Sequence, residues 1–350
     1  MTSLREAAVG GSAARPAREV LARSRELCDP ALHEAVEALP TSMRRIAGYH
    51  LGWWGERGAA DGGGSGKAFR PALALLSAEA VGASPEAAVP AAVGVELVHN
   101  FSLLHDDVMD EDTTRRHRPT AWAVFGRNAA ILAGDALLTL ATDVLAASGH
   151  PRSQEGVRAL SAAVLSLVEG QSADLDFERR QDVGLSECLT MVGSKTGSLL
   201  GCACALGGLF GGASPGRVGE LRAFGELLGL AFQHTDDLLG IWGDPAVTGK
   251  PSYSDLRARK KSLPVLAALH SSTESGAELA RLYRRDRDPE AGELPRLAEL
   301  VEDAGGRAWC RDQAGQLLDQ ALGHLRAARP AERPAAELAD LATMATHRDH

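Results

Sequence analysis

Two clusters of aspartates in this 350-residue sequence have the types and spacing of residues that do chemistry. Asp106, Asp107 and Asp110 form the first cluster, at the end of a strongly apolar run. Asp106 and Asp110 are one helical turn apart, so they would share a helix face and repel each other by about 0.2–0.5 kcal/mol. A cation between them would remove this repulsion. Hard carboxylate oxygens without cysteine or paired histidine ligands favour Mg²⁺ over zinc.

An acidic helix end on the surface is the alternative interpretation of such a cluster taken alone. The helix macrodipole favours cations, not carboxylates, at the C-terminal end of a helix. Aspartates placed there after a long apolar run therefore indicate a bound cation.

A second cluster, Asp236 and Asp237, follows about 130 residues later and also ends an apolar run. Two acidic helix faces opposed across a bundle would hold several Mg²⁺ ions. Because Mg²⁺ keeps some waters and takes further ligands from substrate phosphates, the two clusters together predict a diphosphate site.

Basic residues near loops and helix ends complete the predicted anion site. Lys67 and Arg70 follow a glycine-rich loop and open a helix, where free N–H groups bind anions. Lys195 stands within an apolar segment, where a buried lysine needs a partner. A solvated surface cation is the alternative for each of these residues. The other candidates are Arg115, Arg116, Lys250, Lys260 and Lys261.

The segments that carry these residues have the pattern of helices. Most are rich in Ala and Leu, are longer than strands and lack strict alternation, and no convincing strand is present. Segments 129–147 and 196–210 are apolar on nearly every side, which predicts central, buried helices. The sequence predicts an all-α, single-domain bundle of about ten to twelve helices around an apolar cavity. The apolar segments span 71–84, 87–109, 119–148, 153–177, 185–211, 216–242, 261–271 and 295–327.

The two ends of the chain are predicted to lie outside this bundle, which spans 19–327. Residues 1–18 lack periodicity and predict a flexible tail. Residues 328–350 contain two prolines and predict a peripheral segment. The N-terminus has no apolar core of a signal peptide. Charges interrupt every run approaching the roughly 18 residues of a membrane span, so we expect no stable membrane insertion.

The composition limits the partners and the compartment. A net charge of −9 gives no general attraction to nucleic acid. The five cysteines are scattered without a zinc-binding spacing. They are typical of free, buried thiols in a reducing cytoplasm.

Five motifs in order make the chain resemble the trans-isoprenyl diphosphate synthases, and among them the bacterial geranylgeranyl diphosphate synthases. The resemblance runs from about residue 20 to 325. It implies an isoprenoid synthase fold, a homodimer, and about three Mg²⁺ ions with Mn²⁺ as a possible substitute. The implied reaction joins isopentenyl diphosphate to an allylic diphosphate after the allylic C–O bond ionises. The motifs are GKAFRP at 66–71, HNFSLLHDDVMDEDTTRR at 99–116, GQSADL at 170–175, KTG at 195–197 and the segment 232–264.

The resemblance also implies residue roles. Asp106, Asp110 and Asp236 would be direct metal ligands, and Asp107, Asp237 and Gln171 would support them. Lys67, Arg70, His99 and Arg116 would bind isopentenyl diphosphate. Arg115, Lys195, Gln233 and Lys250 would bind the allylic diphosphate, with Lys260 nearby. Thr196 would stabilise the carbocation through an oxygen dipole.

One position departs from the family pattern. The second cluster usually reads DDxxD, but its fifth position here is Gly240. We expect activity to survive with weaker Mg²⁺ affinity, and Asp244 is a candidate substitute.

Chain length in the family depends on the residues four and five before the first aspartate. These are Ser102 and bulky Phe101, a combination that resembles geranylgeranyl (C20) synthases, although Phe101 as an ordinary core residue is the alternative. Farnesyl or longer-chain synthesis, a class I terpene cyclase and a non-catalytic subunit remain alternatives. A cyclase would have no use for the isopentenyl-site cations, and a non-catalytic subunit usually lacks some of the first aspartates.

Overall fold

The computed structural model describes residues 14–56, 66, 68–245, 251–285 and 287–347, and these residues are almost entirely helical. A short antiparallel hairpin of β1 (Thr114–Arg115) and β2 (Arg118–Pro119) is also present. A 3₁₀ turn, Pro85–Ala88, precedes α4, and a π-helical turn, Gly193–Gly197, joins α8 to α9. The helices are α1 (Ala17–Glu37), α2 (Thr41–His50), α3 (Phe69–Ala80), α4 (Val89–Met109), α5 (Ala121–Phe125), α6 (Arg127–Ala147), α7 (Ser153–Arg179), α8 (Leu185–Val192), α9 (Ser198–Phe210), α10 (Pro215–Trp242), α11 (Ser254–Arg257), α12 (Leu263–Leu269), α13 (Glu274–Tyr283), α14 (Leu294–Asp303), α15 (Gly306–Ala327) and α16 (Glu332–Thr346).

The predicted all-α class is confirmed, and some predicted segments are divided into two helices. Gly126 separates α5 from α6 with a φ of 89°, and Gly305 separates α14 from α15 with a φ of 85°. Residues with a Cβ rarely adopt such angles. The apolar sequence pattern continues across both breaks because the helices on either side of each glycine are both partly buried.

Helix α9 is the centre of the bundle, as its apolar composition predicts. All its residues from Leu199 to Phe210 are buried, and it packs against α3, α4, α7 and α10. Small residues let these helices approach closely. A Cβ at Gly207 would lie 2.0 Å from the carbonyl oxygen of Ala74 in α3.

Helix α6 does not have the buried position that its apolar sequence predicted. Ile131 and Leu132 on α6 are 39% and 55% exposed. The neighbouring helix α7 exposes Leu165 and Val168, which are 71% and 48% accessible. The prediction of a central helix at 129–147 was therefore wrong. We call these four exposed side chains on two neighbouring helices the α6–α7 apolar face.

Among the described residues, three helical stretches are long and apolar enough to cross a membrane by length and composition alone. Charged residues interrupt each of them, as the sequence indicates, for example Asp135 and Asp143 in Arg127–Ala147. In Pro85–Met109 and Leu185–Phe210 most of the apolar window is buried inside the protein, whereas in Arg127–Ala147 only 39% is buried.

Residues 14–18 and 328–347 pack more closely than predicted, whereas residues 1–13 of the predicted tail and 348–350 lie outside the described residues. Arg15, in the expected flexible tail, pairs with Glu337 over 2.7 Å, and α1 begins at Ala17. Helix α16 buries Leu338 and Leu341 completely in the main core, so it is not peripheral. All five cysteines are buried and free, as predicted.

Candidate active site

The first aspartate cluster ends α4 and divides its carboxylates between two environments. Asp106 is half-buried and Asp110 is exposed, whereas Asp107 is 1% exposed. Arg115, on the hairpin that follows α4, donates from Nε to Oδ1 of Asp107 over 2.6 Å. Oδ2 of Asp107 is buried without a hydrogen-bond partner in the described part of the chain. Asp107 therefore anchors Arg115, while Asp106 and Asp110 face the accessible side.

The surroundings of Asp106 and Asp110 disfavour their negative charge. Burial raises the pKa of Asp106 to about 6, and the charge of Asp110 adds to this, although nearby Lys195 opposes it. Burial likewise raises the pKa of Asp110. A bound cation would strongly stabilise the ionised form of these two carboxylates.

A π-helical turn between α8 and α9 presents Lys195 and Thr196. Nζ of Lys195 lies 2.6 Å from Oδ2 of Asp174 in α7. The hydroxyl of Thr196 donates to Oε1 of Gln233 in α10 over 3.1 Å. π-helical turns often occur at functional sites, and this one directs Lys195 to α7 and Thr196 to α10.

Two glycines allow the backbone of this turn to sit between α7 and α10. A Cβ at Gly170 in α7 would lie 2.4 Å from the backbone nitrogen of Lys195. A Cβ at Gly229 in α10 would lie 2.6 Å from Cα of Gly197. Both contacts are with backbone atoms, which cannot turn aside as a flexible side chain can. The positions of Lys195 and Thr196 therefore depend on these glycines.

The second aspartate cluster lies in the last turns of α10 and is divided in the same way. Asp236 is exposed, whereas Asp237 is 3% exposed. Asp237 accepts hydrogen bonds from Nε2 of Gln233 over 2.8 Å and from the backbone N–H of Leu263 over 2.9 Å. Burial raises the pKa of Asp237 to about 6. Asp237 therefore ties the start of α12 to α10, and Asp236 is left accessible.

Lys260 connects the two clusters electrostatically. It is accessible to solvent, and the protein packed around it penalises its charge. This desolvation lowers the pKa of Lys260, but Asp237, Asp255, Asp174 and Asp236 outweigh it and raise the pKa overall. Lys260 also acts on Asp110. The two clusters therefore share one electrostatic environment across the bundle.

A second group of side chains, beside the first cluster, is rich in cations. Burial lowers the pKa of Arg70 to about 10, and Arg116 lowers it further, although Glu96 opposes both. Burial and the same arginines hold the pKa of His99 well below its usual value. Nε of Arg70 is buried without a hydrogen-bond partner among the described residues. Arg70 and Arg116 repel each other, and a bound anion would offset this repulsion. The same anion would accept a hydrogen bond from the buried Nε of Arg70.

Gln171 and the chain-length candidates lie near these groups. Gln171 is 6% exposed, its Nε2 lies 3.8 Å from Sδ of Met109, and its Oε1 has no partner in the described residues. Phe101 is buried and meets His105 edge to face at 4.8 Å. Ser102 donates to the carbonyl of His99 over 2.8 Å. Lys67 and Lys250 lie outside the described residues.

The donor set fits Mg²⁺, because it consists of the accessible carboxylate oxygens of Asp106, Asp110 and Asp236. No three histidine, cysteine or carboxylate side chains converge as a ready-made metal cage within residues 14–347 as far as they are described. Mg²⁺ is usually held by one or two carboxylates together with substrate phosphates.

Comparison with known proteins identifies the family of this chain. The family model described as polyprenyl synthetase matches residues 62–301. The chain belongs to the polyprenyl synthetase family.

Relatives and solved structures of the family cover almost the whole chain. A (2E,6E)-farnesyl diphosphate synthase of Mycobacterium tuberculosis is 47% identical over 92% of this chain and 91% of its own length. A geranylgeranyl diphosphate synthase of the same organism is 43% identical over 92% and 93%. A polyprenyl synthetase from Streptomyces coelicolor A3(2) superposes with a TM-score of 0.89 at 46% identity, covering 93% of this chain and 98% of that chain.

The chain is a prenyltransferase of the polyprenyl synthetase family, and its candidate site is surrounded by residues that the sequence did not single out. Asp174 lies within the GQSADL motif at 170–175, but only the structure pairs it with Lys195. Glu96 lies one turn before Asn100, which donates to it over 3.2 Å. His50, at the end of α2, has a buried Nε2 without a partner in the described part of the chain. Neither Glu96 nor His50 lies in a motif with recognisable spacing.

Proposed function

We propose that this polyprenyl synthetase joins isopentenyl diphosphate head-to-tail to an allylic diphosphate in a Mg²⁺-dependent reaction. The family supports prenyl chain elongation as the reaction class. The observation that carries the proposal is the position of Lys260, which acts on carboxylates of both aspartate clusters. A diphosphate with its metal ions is proposed to bind beside Lys260, between the two clusters.

The allylic diphosphate is proposed to lie between the two clusters. Asp106, Asp110 and Asp236 have the accessible carboxylates that would hold Mg²⁺. Lys195 and Arg115 would contact the diphosphate oxygens directly. When bound, Mg²⁺ neutralises the diphosphate as the allylic C–O bond breaks. Mn²⁺ has a similar ligand preference and is proposed as a substitute. Gln233 and Lys250 complete the proposed set.

Isopentenyl diphosphate is proposed to occupy the cation-rich group. Arg70 has a buried Nε to donate, and Arg116 presents a second guanidinium that is exposed. His99 stays neutral, because its pKa is held far below the physiological range, and can donate or accept a hydrogen bond. We assign Lys67 to the same group because it belongs to the GKAFRP motif at 66–71.

The reaction requires that the allylic carbocation be shielded from water and that one proton be removed after the new carbon–carbon bond forms. The hydroxyl of Thr196 donates its hydrogen bond to Gln233. The lone pairs of the hydroxyl oxygen are therefore available to stabilise a positively charged carbon. The apolar helices around α9 exclude water that would otherwise quench the carbocation. The double bond of isopentenyl diphosphate then attacks the carbocation. A proton leaves to the departing diphosphate, its nearest strong acceptor.

We propose geranylgeranyl diphosphate (C20) as the product, from dimethylallyl, geranyl or farnesyl primers. The support is the pair of bulky Phe101 and small Ser102 before the first cluster. A farnesyl and a geranylgeranyl diphosphate synthase are relatives of similar identity, so farnesyl diphosphate is the alternative product.

Incubation with Mg²⁺ and each allylic primer, with and without isopentenyl diphosphate, followed by chromatography of the products, tests this function. The proposal expects elongated diphosphates only when both substrates and Mg²⁺ are present, with the C20 product dominant. A cyclised or hydrolysed product from the primer alone would support the cyclase alternative. Loss of turnover on Asp106→Ala would exclude a non-catalytic subunit.

We also propose a homodimer and a cytoplasmic location. The α6–α7 apolar face supports the first, because large exposed apolar patches mark protein contacts. The five free thiols support the second. The acidic balance of the chain favours neither nucleic acid nor anionic membranes as partners.

A further inference from the structure

The carboxylate of Asp255 lies against the backbone at Gly240, the position where the second cluster departs from the family pattern. A Cβ built at Gly240 would lie 2.4 Å from Oδ2 of Asp255 and 2.5 Å from its Cγ. Real Cβ atoms do not approach other atoms this closely. The space that a side chain at 240 would enter is therefore occupied by the side chain of Asp255.

The segment that carries Asp255 is fastened to α10 at this point. Ser254 donates from its hydroxyl to the carbonyl of Gly240 over 3.1 Å, and also reaches Oδ1 of Asp255 at 3.4 Å. The backbone N–H of Tyr253 donates to the carbonyl of Ile241 over 3.2 Å. These bonds hold α11 against the end of α10, so the approach of Asp255 to Gly240 is built into the backbone.

Asp255 also lies close to Lys260, which interacts with both aspartate clusters. Its backbone carbonyl accepts from the N–H of Lys260 over 2.8 Å. Its carboxylate is one of those that raise the pKa of Lys260, together with Asp237, Asp174 and Asp236. Asp244, the substitute suggested by the sequence, is instead exposed beyond the end of α10.

We propose that Asp255 supplies the third carboxylate of the second aspartate cluster, reaching from α11 into the space that the absent side chain of residue 240 leaves. The inference rests on the proposed function, since the cluster serves a Mg²⁺–diphosphate complex. Asp255 accepts hydrogen bonds from the hydration shell of that complex and holds Lys260 in place. A side chain at residue 240 would have to displace this carboxylate.

Four variants separate this role from a structural one. Asp255→Asn keeps the size of the side chain and removes its charge. Gly240→Asp places a second carboxylate in occupied space. Gly240→Asp combined with Asp255→Gly moves the carboxylate to residue 240 and frees the space. Gly240→Ala combined with Asp255→Gly frees the space without supplying a carboxylate. Asp244→Asn is the control, because it removes an exposed carboxylate from the same region.

The measurement is the affinity for Mg²⁺ in the presence of inorganic pyrophosphate, by titration calorimetry, together with the melting temperature of each variant. Asp255→Asn is expected to lower the affinity about tenfold, the effect of losing a group that supports bound ligands. Gly240→Asp is expected to lower both melting temperature and affinity. The Asp/Gly double variant is expected to recover both, whereas the Ala/Gly double variant recovers only the melting temperature. Such non-additivity is the signature of two residues that share one space.

The inference is overturned if Asp255→Asn binds like the wild type, if Asp244→Asn shows the loss instead, or if the two double variants bind alike. These outcomes differ from failure of the proposed function. In that case the wild type itself would neither bind Mg²⁺ with pyrophosphate nor elongate a primer.

Discussion

The hydroxyl of Thr196 donates its hydrogen to Oε1 of Gln233 over 3.1 Å, and the same amide donates to Asp237 over 2.8 Å. Asp237 is nearly inaccessible, so the chain of bonds is anchored at its far end. The amide of Gln233 is thereby fixed with its oxygen towards Thr196. The threonine oxygen can then act only as an acceptor, as the proposed role of Thr196 at the carbocation requires.

Thr196→Val is expected to lower kcat about tenfold to a hundredfold while the KM for both substrates changes little. An oriented dipole that acts only on the developing charge stabilises the transition state and not the bound substrate. Thr196→Ser keeps the oxygen and should retain most of the activity. Steady-state kinetics with both substrates varied measures this. A valine variant with the wild-type kcat would show that Thr196 does not act on the carbocation.

Lys195→Gln is expected to lower kcat/KM for the allylic diphosphate by about 10²–10³-fold. The lysine lies 2.6 Å from Asp174 and also offsets the charge of Asp106 and Asp110. Its loss removes a preorganised positive charge at the leaving group. Arg311→Gln removes an exposed charge on α15 and is the matched control. If the two variants gave equal allylic kcat/KM values, Lys195 would have no role at the diphosphate.

Gly229→Ala is expected to destabilise the protein by about 1–3 kcal/mol and to reduce kcat. The new Cβ would meet the backbone of Gly197 at 2.6 Å and push the π-helical turn that presents Thr196. Gly219→Ala in the same helix is the control, since its Cβ would meet nothing within 4 Å. It should be neutral or stabilise by up to about 1 kcal/mol. Denaturant unfolding and kcat distinguish the two. Equal behaviour would mean that the close approach at Gly229 is not required.

The sequence predicted the helices that carry the site well, because long apolar runs with helical spacing are the strongest local signal. It misplaced α6, because hydropathy does not distinguish a face covered by the core from one left exposed. Pro334 suggested a loose end of the chain. It lies in the first turn of α16, where its missing N–H costs nothing.

Contacts between segments that are distant in sequence could not be predicted from the sequence. The motif at 170–175 contains Asp174, but its pairing with Lys195 depends on how α7 and the π-helical turn pack. Likewise, Asp244 is nearer to Gly240 in sequence than Asp255, but the turn after α10 brings Asp255 back against the helix. Which residues share a face of one helix was predictable from their spacing. Which residue a loop brings back against that helix was not.

Leu165→Glu is expected to convert the proposed homodimer to a monomer. Leu165 is 71% exposed on the α6–α7 apolar face, and burying a carboxylate in an apolar contact costs several kcal/mol unless it is paired. Gln320→Glu, exposed on α15, adds the same charge elsewhere and should leave the assembly unchanged. Size-exclusion chromatography with light scattering measures the mass. A wild type that is monomeric at all concentrations would contradict the dimer.

Asp106→Asn is expected to stabilise the protein without Mg²⁺ at pH 7 by about 1–2 kcal/mol, after discounting for the partial exposure of the side chain. Burial raises the pKa of Asp106 from 3.8 to about 6 in the folded protein. Between these values the folded state binds more protons than the unfolded state, so the wild type loses stability as pH rises.

The gain of the Asp106→Asn variant should therefore be absent near pH 4, grow between pH 4 and pH 6, and stay constant above. Chemical unfolding in EDTA at a series of pH values measures it. Asp319→Asn removes an exposed carboxylate on α15 and is the control for the loss of a charge. A stability difference that does not depend on pH would contradict the argument, because the penalty arises only when the buried carboxyl group is ionised.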